Sequence, residues 1–184
     1  MRAETMSNIP IDPAHHDLYR SLGIGVEILK NYSAPAQRQA SPAELKMFST
    51  APDGRSLKAT HATVKSWLDL QRSASNAGIV IEVTSAFRSI EYQAQLIKRK
   101  LEAGTPLDTI LTVSAIPGFS EHHTGEALDL FSPPQAPLIT EFEETAAFEW
   151  LNQHAANFGF SLSYPRGNTT GFSYEPWHWK FNPQ

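Results

Sequence analysis

The sequence predicts an α+β fold. Helix-like and strand-like segments alternate irregularly, not as βα repeats, and the last two strand-like segments are joined by a turn-rich link that reads as a hairpin. No internal repeat is visible. The 184 residues suffice for one domain with an extension, and for a sizeable core.

Residues 1–44 read as an N-terminal extension and residues 45–184 as the main domain. Pro10, Pro13, Pro35 and Pro42 punctuate the extension, and Ser33 to Ser41 is rich in Ser, Ala, Gln and Pro. Its short apolar stretch, Leu22 to Leu29, is suited to packing on the main body. Val64, Trp67, Leu68 and Gln71 follow helical spacing, which predicts a helix over 58–76 stopped at Asn76-Ala77-Gly78. Ile79 to Thr84 is β-branched and predicts a buried strand. Ser89 suits the N-cap of a helix from Ile90 to Ala103, ended by Gly104. Glu126 to Phe131 predicts a strand with Ala127, Asp129 and Phe131 on one face and Glu126, Leu128 and Leu130 on the other. Phe148, Leu151, Ala155 and Phe158 mark a helix over about 144–158, stopped at Gly159. Phe160 to Tyr164 and Phe172 to Phe181 complete the pattern as strands, linked by the turn formers of Pro165 to Gly171.

Composition removes several function classes. Net charge is −4 and no run of Lys or Arg exists, which argues against nucleic acid as partner. There is no cysteine, so thiolate metal sites, disulfides and cysteine nucleophiles are excluded. No apolar run is long enough for membrane insertion. Met1 to Asp12 has no apolar core of a signal peptide, so a native N-terminus would keep the protein in the cytoplasm.

The chemistry concentrates in Ser120-Glu121-His122-His123-Thr124-Gly125-Glu126-Ala127-Leu128-Asp129 and in Glu175-Pro176-Trp177-His178. An open catalytic zinc site takes three ligands from His, Asp and Glu and leaves its fourth position to water. His122, Asp129 and His178 fill those three places, and Glu175 is left over as a general base. Gly125 lets the backbone bend between a ligand on a loop and a ligand on the following strand. Glu175 and His178 would face opposite ways in a regular strand, so their convergence requires a bend at Pro176. H-x6-D or E-x-x-H alone carries little; their co-occurrence with S-x-H-x-x-G-x-A-x-D carries the reading.

The same residues, with Thr84-Ser85-Ala86-Phe87-Arg88-Ser89, Gln93, Pro117-Gly118-Phe119 and Tyr164-Pro165-Arg166-Gly167, resemble the VanY-type D-alanyl-D-alanine carboxypeptidases from about Leu57 to the C-terminus. That group shares its fold with lysostaphin-type enzymes and the hedgehog domain. The resemblance implies a hedgehog/D,D-peptidase-like α+β fold, a small antiparallel sheet flanked by helices. It implies one zinc ion per chain on His122, Asp129 and His178, with Glu175 as base. Arg88 becomes a catalytic and substrate contact, and Gln93, Ser120 and Tyr164 become pocket residues. Two departures stand out: Ala86-Phe87 for the more usual Gly-Tyr, and His123 where Gln is common, which raises the question of a competing ligand.

The implied activity is removal of a terminal D-alanine from peptidoglycan stem peptides, D,D- or L,D-. Endopeptidase and D-Ala-D-Ala dipeptidase activities are alternatives, as is a zinc-containing cell-wall binding module without activity. The spare carboxylate of Glu175 argues against that last reading. The substrate class points to the cell envelope or periplasm, and the oligomeric state stays open.

Overall fold

The computed structural model describes residues 15–182. Its elements run α1 His16–Ser21, α2 Val26–Lys30, β1 Leu45–Thr50, β2 Ser56–Thr60, α3 His61–Asn76, β3 Glu82–Ser85, α4 Ile90–Glu102, α5 Leu107–Leu111, β4 Ala127–Phe131, α6 Ala146–His154, β5 Phe160–Leu162 and β6 His178–Phe181. β1 and β2 form an antiparallel hairpin, and the other strands form an antiparallel sheet in the order β3-β4-β6-β5. The fold is α+β, small antiparallel sheets flanked by helices.

α3 begins at His61, not at residue 58, because Thr60 is its N-cap: the Thr60 hydroxyl accepts from Thr63 N–H. Residues 58–60 belong instead to β2. α4 starts where expected, with the Ser89 hydroxyl accepting from Tyr92 N–H. α6 ends at His154 and passes into a 3-10 turn that Gly159 closes at φ 76°. The strand expected over Phe172–Phe181 is a correction: only His178–Phe181 is strand, and residues 172–177 are irregular. Pro176 and Trp177 form a tight turn in which His178 N–H donates to the Glu175 carbonyl. Proline suits the second position of such a turn and cannot donate to a ladder.

β4 is central and buried along its whole length. Its Leu128 and Leu130 enter the main core with Trp67, Leu70, Phe142 and Leu151. Strand alternation then turns Asp129 to the opposite face, where the site lies. A second core joins the first described segment to the body: Tyr19, Leu22, Ile24 and Leu29 pack against Ala94, Ile97, Ile110, Ile116 and Phe119. Residues 1–14 of the expected extension lie outside the described residues. The segment after α2 is laced onto the loop that carries His122. Gln37 N–H donates to the Gly118 carbonyl, Ala40 N–H to the His123 carbonyl, and the Gln39 side chain accepts from Ile90 N–H at the start of α4.

Candidate metal centre and active site

Sheet register builds the centre of the site. Ser85 of β3 and His178 of β6 are both paired with Asp129 of β4, so one row crosses three strands. Directly paired residues have neighbouring side chains. Asp129 Oδ1 lies 3.1 Å from His178 Nδ1. The second imidazole comes from the 3-10 turn Glu121–Thr124, which Gly125 ends at φ 72°. A side chain at position 125 would also collide with Leu45, 2.9 Å from the place of its Cβ. His122 Nε2 stands 3.2 Å from Asp129 Oδ2. One donor atom from each of His122, Asp129 and His178 falls within 4.8 Å of the others, and the three residues are 1–3% exposed.

Protonation decides whether this triangle suits a cation. His122 Nδ1–H donates to the Ala86 carbonyl at 2.7 Å, which leaves Nε2 as a bare lone pair. Burial, helped by the Arg88 charge, holds the His122 imidazolium down to about 4, so the ring is neutral. A lone pair and a carboxylate oxygen then face each other without a hydrogen bond, and Nε2 has no donor partner among the described residues. Two acceptors at that distance repel unless a cation sits between them. Two imidazoles and a carboxylate fit zinc by donor type and number.

Two carboxylates flank His178. Glu121 Oε2 lies 2.9 Å from Nε2, and Glu175 Oε2 lies 3.8 Å from Nδ1. Burial opposes the charged ring, but hydrogen bonds to Asp129 and Glu121 outweigh it and push the metal-free His178 up to about 10. Glu121 is partly buried, which opposes its charge, yet His178, the Ser163 hydroxyl at 2.6 Å and the Lys180 charge hold it down to about 2. Glu175 behaves oppositely: burial raises it to about 7, against the pull of His178 and Arg88. It sits beside the metal triangle without belonging to it, and the Pro176 turn is what aims it there.

Arg88 leaves the end of β3 just before α4. Its guanidinium lies 3.4 Å from Asp129 Oδ2 and 3.2 Å from Gln93 Oε1, while its Nε is buried without a partner among the described residues. Gln93 stands behind Arg88, with its amide donating to the Ala115 carbonyl at 2.8 Å. Tyr164 packs its ring 4.7 Å from that of His178, and Ser120 is buried at the start of the His122 turn. His123 is no competing ligand: Nδ1–H donates to the Arg88 carbonyl at 2.6 Å and Nε2 accepts from Gly118 N–H at 3.0 Å. A cleft of about 400 Å³ opens over Arg88, Asp129, Glu175 and Trp177.

Glu121 is the residue that sequence reasoning passed over. It lies next to His122 in sequence, but only folding brings it to His178, 57 positions away.

The VanY family model, described as D-alanyl-D-alanine carboxypeptidase, matches residues 56–184. The chain belongs to the VanY family. A curated relative, the bifunctional D-Ala-D-Ala dipeptidase and D-Ala-D-Ala carboxypeptidase VanXYC of Enterococcus gallinarum, is 33% identical over 122 residues, covering 64% of this chain and 63% of that protein. The chain spans less than two thirds of the length of the curated relatives it matches. Among solved structures, the LdcB LD-carboxypeptidase superposes with TM-score 0.70 at 22% identity, covering 81% of this chain and 74% of that one. VanYB in complex with D-alanine-D-alanine gives TM-score 0.62 at 27% identity, with 80% of each chain covered. A VanY D,D-pentapeptidase in complex with Zn(II) gives 0.59 at 24% identity, over 82% of this chain and 88% of that one. The fold of the VanY family is thus the fold of this chain.

Proposed function

We propose that this chain is a zinc-dependent carboxypeptidase that removes the terminal D-alanine of peptidoglycan stem peptides. One observation carries the reading: a neutral imidazole, a carboxylate and a second imidazole converge on one point, while a further carboxylate, Glu175, is left beside them at the floor of a cleft. A purely structural metal site has no use for that spare carboxylate, which disfavours the inactive binding module. His122, Asp129 and His178 would hold one zinc ion per chain, which when bound would supply Lewis acidity and an activated water.

The chain's own residues do the rest. Glu175, its proton affinity raised by burial to about 7, accepts a proton near neutral pH and returns it to the departing amine. Arg88 lines the cleft with a guanidinium, a group suited to a developing oxyanion or to a carboxylate. Gln93 holds Arg88 in that pose through its Oε1. The proposed substrate class is what supports the cell envelope as the site of action. Dipeptidase activity is the second reading, because the relative VanXYC combines both activities.

The test is release of D-alanine from defined tetrapeptide and pentapeptide stems and from D-Ala-D-Ala, with and without a chelator. Chelator-sensitive release from a stem peptide is the expected result, and which stem is cut separates L,D- from D,D-activity. Cleavage confined to the free dipeptide moves the assignment to a dipeptidase. Zinc binding without any cleavage overturns it in favour of a binding module.

A further inference from the structure

The cleft extends beyond the metal triangle. Tyr92, Leu96 and Lys100 stand four residues apart on α4 and line one wall, while Val113 and Ser114 line another. Three cations open on this space: Arg55, Arg88 and Lys100. Two of them are already matched. Arg88 bonds Asp129 and Gln93, and Arg55 bonds Asp53 at 2.6 Å and the Thr84 carbonyl. Lys100 is not. Its Nζ donates to the neutral Ser114 hydroxyl at 2.7 Å, and among the described residues it has no carboxylate partner.

An ammonium has three donors, and one hydroxyl leaves two of them without a partner among the described residues. Lys100 is also partly withdrawn from water, enough for burial to lower its proton affinity, and close enough to Arg88 and Glu175 for their charges to act on it. A desolvated cation of this kind is costly unless an anion joins it. The nearby surface is apolar: Leu96 lines the wall, and Val113 and Leu138 face the opening with 46% and 49% exposure. Leu138 holds that place at φ 62°, a conformation a leucine rarely adopts. A small apolar side chain next to a carboxylate matches such a space.

We propose that Lys100 Nζ and Ser114 Oγ form a carboxylate subsite that takes the C-terminal carboxylate of the substrate, and so selects the last residue of a peptide for removal. This rests on the carboxypeptidase reading. Arg88 is then released from the role of carboxylate anchor and faces the scissile carbonyl.

The experiment compares a stem pentapeptide with its C-terminal amide, on zinc-loaded wild type, Lys100→Met and Ser114→Ala, with melting temperatures to verify folding. Wild type is expected to prefer the free acid by about 10–100-fold in kcat/KM, the range of a charged hydrogen bond. Lys100→Met should bring that ratio close to one, mainly through KM, and Ser114→Ala should lower it partially. An acid-to-amide ratio unchanged in both variants overturns the subsite. A third peptide, amidated at its internal carboxylates, separates the sources: a Lys100→Met penalty that disappears on this peptide, and persists on the C-terminal amide, reassigns the lysine to an internal carboxylate and overturns the proposal. Should wild type cleave none of these peptides, the carboxypeptidase reading fails by itself. The subsite is then judged by calorimetric binding of D-alanyl-D-alanine and its amide to the same three proteins, where an equal preference in wild type and Lys100→Met defeats it.

Discussion

Glu121 accepts from Nε2 of His178 at 2.9 Å, while the other nitrogen of that ring faces Asp129. The carboxylate therefore fixes which nitrogen of His178 is available to a metal, and it orients the ring. Ser163 and Lys180 in turn hold Glu121 in place.

Glu121→Ala is expected to weaken zinc binding by about 10–100-fold, the usual cost of losing an outer carboxylate on a ligating histidine. Competition against a chromophoric chelator measures it without reference to activity. Glu121→Gln, whose amide oxygen still accepts, should retain most of the affinity. Equal zinc affinity in wild type and Glu121→Ala would show that the contact does not serve the metal.

Glu175 connects stability to function with a definite sign. Its carboxyl in the metal-free fold titrates near 7, against an ordinary 4.5, because burial penalises the anion. Between those values the native state keeps a proton that the unfolded chain has lost. Stability is therefore fully present below about 4.5 and declines as pH rises through 7. In chelator, Glu175→Gln should melt higher than wild type at pH 8, with the difference closing towards pH 4.5. The same variant, loaded with zinc, should lose activity by about 10²–10⁴-fold while keeping its metal. A melting temperature that responds to the substitution equally at both pH values would contradict the burial argument.

The metal triangle was legible in the sequence because its signals are local: a glycine turn, an alternating strand, and an E-P-W-H segment in which Pro176 demands a bend. Strand alternation correctly faced Asp129 away from Leu128 and Leu130. The β1–β2 hairpin was missed, although Ala51-Pro52-Asp53-Gly54 between Leu45–Thr50 and Ser56–Thr60 is a turn signal. Helical spacing further along masked it, and the Thr60 cap that separates strand from helix was read as part of the helix. Glu121 and Lys100 were not legible for a different reason. Each is meaningful only through a partner brought close by tertiary structure, His178 in one case and Ser114 in the other.

Zinc binding should release protons. His178 in the metal-free protein is an imidazolium at pH 8, since Asp129 and Glu121 outweigh burial and hold it at about 10. A metal takes the nitrogen facing Asp129 only after the proton there departs. His122 is already neutral and contributes none. Calorimetric titration with zinc at pH 8, in buffers of different ionisation enthalpy, is expected to show release of about one proton per ion. Release should vanish in His178→Ala along with most of the affinity. Tight binding by wild type with no proton released would remove His178 from the ligand set.

Arg88 is a test of geometry against charge. Its guanidinium bridges Asp129 and Gln93 at the edge of the cleft, an arrangement that depends on a planar fork. Arg88→Lys keeps the positive charge beside Asp129 but cannot reach both partners and still present a donor to the cleft. The expected result is a fall in kcat/KM of about 10²–10³-fold, comparable to loss of one oxyanion donor, with the melting temperature nearly unchanged. The division of that loss locates the interaction: a fall in kcat places Arg88 on the reacting carbonyl, and a rise in KM alone places it on ground-state binding. With Lys100 assigned to the terminal carboxylate, the loss should appear in kcat. Gln93→Ala, which removes the support and not the guanidinium, should reproduce part of it. Normal kinetics in Arg88→Lys would make the arginine a structural counter-charge for Asp129 and leave the oxyanion to other donors.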